Sequence, residues 1–175
     1  MLIFVDTECT SLEAPKLLSV GFVAATSEPP EPFYVELTDT YEPSDCSAFV
    51  RREVIPQLLG GSYAMASVDA RRQVRTWIEA FGEPAELVTD YPEFDARLLR
   101  DWFDGDRWPH NLARSARRLD PSNLPSGPVR DAVEAARANH EHRWGAHQAL
   151  NDAARLHRVY QVLASYGLDP LDLRP

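Results

Sequence analysis

Lysine is almost missing from this sequence. Lys16 is the only one, and arginine supplies the rest of the 18 basic residues. Set against 27 acidic residues they leave a formal net charge of −9, which counts against a protein that grips long nucleic acid through a broad basic face. Cysteine is nearly as scarce. Cys9 and Cys46 are too few for a disulfide framework and form no CxxC pair of the kind that binds zinc, so both read as free thiols. No apolar run approaches the roughly 18–20 residues a membrane span needs. The apolar start, Met1 to Val5, is interrupted at once by Asp6 and Glu8 and lacks the basic lead of a signal peptide. These absences point to a cytoplasmic location. There is no internal repeat and no low-complexity tract, and 175 residues with 44% hydrophobic content read as one globular domain, 1–175.

What is present divides the chain in two. The first third reads as strands. Leu2 to Glu8 opens wholly apolar, as a central buried strand does; Leu17 to Thr26 and Phe33 to Leu37 follow. The Glu28–Pro32 stretch, with three prolines, reads as a turn and not a strand interior. Short connections between three successive strands predict an antiparallel meander. The remainder reads as mostly helical. A short helix interrupted at Pro56 is expected over Ser44 to Leu59. Over Ser67 to Phe81, Val74, Trp77, Ile78 and Phe81 fall at helical spacing. A strand is expected at Glu86 to Thr89 and a helix from Pro92 to Phe103. A loop-rich stretch runs from Asp104 to Pro128, with helices at Val129 to His142 and His147 to Tyr166, the last stopped by Gly167. Strands and helices mixed in this order predict an α/β sandwich with a mixed sheet.

Three sites carry chemistry. In Phe4-Val5-Asp6-Thr7-Glu8, strand alternation projects Asp6 and Glu8 from one face. Two carboxylates side by side at the end of a buried strand repel unless a cation such as Mg²⁺ lies between them. In the second, a short strand leads into a helix with Asp95 near its start. The helix dipole alone favours a carboxylate there, and Asp90 and Glu93 compete for any functional role. In the third, His147 to Ala153, Asp152 shares a helical stripe with Leu156, Val159, Leu163 and Tyr166, so its side chain points inward, where an unpaired carboxylate is costly. Residues five apart do not share a helix face. His147 therefore reaches the same site only from the turn before the helix, which Gly145 permits. Taken alone, His147 reads as a cap or an exposed histidine.

Together these segments resemble the DEDDh 3′–5′ exonucleases of the ribonuclease H-like superfamily. Asp6-Thr7-Glu8-Cys9-Thr10-Ser11-Leu12 looks like that group's Asp-x-Glu-Thr-Thr-Gly-Leu opening, with Cys9 and Ser11 as departures. Phe94-Asp95 followed by Leu98-Leu99 is similar to the second motif. His147 with Asp152 five residues later is similar to the third. The small bacterial 3′–5′ exoribonuclease family first recognised in mycobacteria is closer still, through the His147–Ala153 segment and the Val50-Arg51-Arg52-Glu53-Val54-Ile55-Pro56 stretch. The likeness runs from residue 1 to about 165 and weakens between Asp104 and Arg143.

The resemblance implies a ribonuclease H-like three-layer sandwich, its central mixed sheet flanked by helices. It also implies two Mg²⁺ or Mn²⁺ ions roughly 3.5–4 Å apart, held by Asp6, Glu8, Asp95 and Asp152. His147 would accept the proton of the attacking water near neutral pH. The expected partners are single-stranded 3′ ends, RNA favoured, with nucleoside 5′-monophosphates released, and a homodimer is implied. Leu12 is a candidate wedge against the terminal base or else a buried loop leucine. Cys9 and Thr10 are candidates to offer backbone groups to the terminal sugar, and Trp144 to stack on a base. Arg114, Arg117 and Arg118 read as a solvated helix face or as phosphate contacts; His110, His140, His142 and His157 gain no role. A DNA 3′–5′ exonuclease and an inactive nucleic-acid-binding module of the same fold are the alternatives.

Overall fold

The computed structural model describes residues 1–26, 31–103, 108–144 and 146–171. Within them, six strands form one mixed sheet: β1 (Leu2–Cys9), β2 (Leu17–Ala24), β3 (Glu31–Leu37), β4 (Ala64–Met65), β5 (Ala85–Thr89) and β6 (Leu112–Arg118), in the spatial order β4-β3-β2-β1-β5-β6. The expected meander is present, with β1–β2 and β2–β3 antiparallel. β5 and β6 run parallel to β1, so the carboxyl ends of these three strands lie at one end of the sheet. Ligands of open α/β sheets gather at such an end.

Four helices cover the sheet: α1 (Ser67–Glu79), α2 (Pro92–Trp102), α3 (Pro128–Trp144) and α4 (Ala149–Ser165). Strand alternation assigns them to faces. Ile3 and Val5 of β1 pack with Val74 and Ile78 of α1 and Leu98 and Leu99 of α2. Phe4, between them in sequence, packs on the other face with Val133 of α3 and Leu156, Val159 and Leu163 of α4. β2 is buried along its whole length. Among the described residues, no helix is long and apolar enough to cross a membrane.

Several expectations are corrected. Pro32 is a strand residue, pairing with Val23. It lies where β3 has an open edge, since β4 joins only at Glu36 and Leu37, and edges tolerate a residue without an N–H. Residues 28–30 of the expected turn lie outside the described residues. The stretch expected to be loop contains β6, an edge strand in which Leu112 alone is buried, so its sequence shows no alternation. Arg114, Arg117 and Arg118 therefore sit on a strand and not on a helix face. The helix expected over Ser44 to Leu59 is replaced by 3-10 turns at Pro43–Asp45 and Ile55–Gln57 around a π-helical turn at Val50–Val54. Pro56, which has no N–H, stands in the second 3-10 turn. The inward stripe of α4 ends at Leu163. Tyr166 is exposed beyond it, and Gly167, with φ +74°, stops the helix as predicted.

Candidate metal centre

Asp6 and Glu8 stand at the carboxyl-end half of β1, on the face that α4 covers. Asp152 is in the first turn of α4 and 5% exposed. One carboxylate oxygen from each of the three lies within 4.8 Å of the others. The approach depends on a residue whose importance is hidden in the sequence. Gly21 of β2 pairs with Asp6, and a Cβ built on it would fall 2.3 Å from the Leu150 backbone nitrogen and 2.4 Å from the Ala149 carbonyl carbon. The start of α4 thus rests directly on β2 beside Asp6. A side chain at position 21 would lift the helix and Asp152 away from β1.

The cluster is electrostatically unfavourable as it stands. Asp6 titrates far above the usual carboxylate range, first because it is buried and then because Asp95, Asp152 and Glu8 repel its charge. Glu8 is pushed up to about 8, mainly by burial and then by Asp152 and Asp95. Asp152 is raised as well. Burial outweighs the favourable charge of Arg155 and the bond it accepts from the His147 N–H, 2.8 Å from its Oδ2. Its buried Oδ1 accepts no hydrogen bond. The Arg155 guanidinium stands 3.2 Å from that oxygen, but as an ion pair without an aligned N–H.

Three hard oxygen donors, like charges that burial sharpens and an acceptor left without a donor are the surroundings a divalent cation relieves. Asp6, Glu8 and Asp152 can therefore hold a metal ion, and an all-oxygen donor set suits a hard cation. No protein-family model and no curated protein matches the sequence.

Asp95 stands apart from this cluster. It is buried in the first turn of α2 and meets β1 from the opposite face. Its Oδ1 accepts from the Thr7 hydroxyl and its Oδ2 from the Thr89 hydroxyl, each at 2.5 Å. Burial raises its pKa while both hydroxyls lower it. Its charge is the strongest of those acting on Asp6, yet its two oxygens are already engaged. The rival carboxylates are not part of the cluster: Glu93 pairs with Arg118 on the surface, and Asp90 acts on Asp6 only as the weakest of the neighbouring charges.

His147 occupies the turn before α4, as its spacing from Asp152 requires, and is exposed. With φ 64° it is the only non-glycine residue of positive φ among the described residues, a conformation that costs on the order of 1–2 kcal/mol. Its imidazole meets the Phe49 ring edge-on, with centroids 5.0 Å apart. Gly145, expected to permit this turn, and the side chain of Trp144 lie outside the described residues.

The remaining candidates separate clearly. Leu12 is 74% exposed, which removes the buried-leucine alternative. Thr10 is fully buried, and its backbone N–H donates to the Lys16 carbonyl at 3.0 Å while its carbonyl accepts from Ser47 at 2.9 Å. Its N–H is thus spent inside the β1–β2 connection and not offered to a ligand. The Cys9 thiol, buried beside it, points to the Ser11 carbonyl, and burial pushes it up to about 11. His110 pairs with Glu79 at 2.9 Å. His157 is buried against Phe4. Neither faces the acidic cluster. Sequence reasoning missed Gly21, Thr7 and Thr89. The threonines carried only the signal of hydroxyls flanking each carboxylate motif.

Proposed function

We propose that this chain is a metal-dependent 3′–5′ exonuclease of ribonuclease H-like fold that acts on single-stranded RNA ends and releases nucleoside 5′-monophosphates. The observation that carries this reading is the convergence of Asp6, Glu8 and Asp152 from the first strand and the last helix, within 4.8 Å. The three would hold a divalent cation, which would supply the positive charge that a scissile phosphate and an attacking water need. Asp95, each of whose oxygens accepts a single threonine hydroxyl, would support a second ion with its remaining acceptor capacity. His147 is exposed beside Asp152, and its ring makes no hydrogen bond or ion pair to a carboxylate among the described residues, which suits it to accept the proton of the attacking water. Leu12, exposed in the β1–β2 connection four residues after Glu8, suits contact with the terminal base.

A net charge of −9 goes with short single-stranded ends over duplex, because a cation at the centre, and not the protein surface, would meet the phosphate. The test is incubation of the purified protein with a 5′-labelled single-stranded RNA and its DNA counterpart, in Mg²⁺ or Mn²⁺ and then in EDTA. A ladder shortening from the 3′ end, stopped by EDTA and stronger on RNA, is expected. Stronger cleavage of DNA would move the assignment to the deoxy substrate. Binding without any metal-dependent cleavage would make the domain a binding module.

A further inference from the structure

The turn that presents His147 is fixed through a single peptide unit, the one joining Ala146 to His147. Its N–H donates to Asp152 Oδ2 at 2.8 Å. Its carbonyl accepts from the Gln57 side-chain amide at 2.6 Å, across 89 residues of sequence. A peptide plane gripped at both ends cannot rotate. The plane's orientation sets φ of His147, so these two bonds hold that residue in its left-handed conformation.

Gln57 is itself held firmly. Its Nε2 also donates to the Glu53 carbonyl at 2.7 Å. Both partners are carbonyl oxygens, so the amide's orientation is dictated chemically and its two hydrogens are both used. The backbone that aims it is the irregular segment in which a π-helical turn passes into a 3-10 turn at Val54–Ile55. One regular helix would carry residue 57 round a different face. From the start of the same segment Phe49 meets the His147 ring. The segment therefore touches both the backbone and the side chain of the His147 turn.

We propose that Gln57 is a positioning residue for His147: it holds the Ala146–His147 peptide from one side while Asp152 holds it from the other. The inference rests on the exonuclease reading for its effect on turnover, but its structural part stands alone. Gln57→Leu keeps the size and removes both donors. In that variant the His147 amide loses protection against hydrogen exchange. On single-stranded RNA kcat falls about 10- to 100-fold, as for a catalytic group displaced by an ångström or so, with KM changed less than about twofold. The melting temperature and the Mg²⁺ affinity of the carboxylates serve as controls for a general loss of fold. If Gln57→Leu does not fold, Gln57→Asn, too short to reach Ala146, carries the same two readouts. Unchanged His147 amide protection in a folded variant overturns the proposal, and so does unchanged kcat in an active enzyme. If the wild-type chain cleaves nothing, the exonuclease reading fails by itself, and the amide measurement alone decides whether Gln57 holds the turn.

Discussion

Two places in the same sheet bury carboxylates, and they treat them in opposite ways. Glu36, on β3, is 4% exposed and fully provided for. Its Oε1 accepts from the Tyr34 hydroxyl at 2.9 Å and from the Leu59 N–H, and its Oε2 accepts from the Gly60 N–H at 2.9 Å. This carboxylate ties the loop after the 3-10 turn to the sheet. Asp6, Glu8 and Asp152 stand together with one carboxylate oxygen of each within 4.8 Å of the others, and burial raises all three pKa values, at Asp152 against the lowering by Arg155 and the His147 N–H. Burial alone therefore does not mark a functional acid. The distinction is whether the protein supplies donors enough: Glu36 has one or more on each oxygen and is part of the fold, while the cluster sets three acids together and leaves the buried Asp152 Oδ1 without a hydrogen bond, a site shaped for something positive.

Substitution tests the contrast most sharply at Asp6. Asp6→Asn removes a repelling charge, so the metal-free protein is expected to melt no lower than wild type. Turnover of RNA should fall by more than the roughly 10–100-fold that loss of a mere outer partner costs a metal site. A matching loss of stability would place Asp6 with Glu36 as a structural acid. At the other place the outcome reverses. Glu36→Gln sets an amide N–H₂ against backbone donors, and urea unfolding should show a loss of about 1.5–3 kcal/mol, with the activity of the folded fraction retained.

The smallest effect is a slope. In the metal-free protein Glu8 is raised from 4.5 to about 8, so between those values the folded chain keeps a proton that the unfolded chain has lost. Stability should accordingly fall as pH rises from 4.5 to 8, then level off. Saturating Mg²⁺ should flatten the slope, with its affinity rising over the same window as the carboxylates ionise. Melting curves at several pH values, with and without Mg²⁺, measure both. A metal-free stability that rises with pH would mean the cluster already has donors, as Glu36 does.

Where sequence and structure agree, the reason is a strong local pattern. The apolar opening of β1 and its abrupt change to Asp6 and Glu8 follow from alternation in a buried strand, and the inward aim of Asp152 follows from the stripe through Leu156, Val159 and Leu163. The turn position of His147 was forced by its five-residue offset. What escaped detection is long-range or irregular. β6 is a polar edge strand that owes its place to pairing with β5. A π turn leaves no distinct periodicity. Gly21 looked like any glycine in a strand, because the helix that crosses it begins 128 residues later (149 − 21). Asp95 was legible as an acid near a helix start, but not its burial, nor the two threonines that occupy its oxygens from separate strands.

The three clustered carboxylates come from the two ends of the fold's chain order, since Glu8 and Asp152 are 144 residues apart (152 − 8). A first strand can emerge, pair and bury itself while Asp6 and Glu8 still lack their third member. Only when α4 settles onto Gly21 does the centre exist. A chain still being synthesised, or one whose last helix has come loose, therefore lacks the three-carboxylate cluster, and whatever the cluster can hold is bound only once folding is finished.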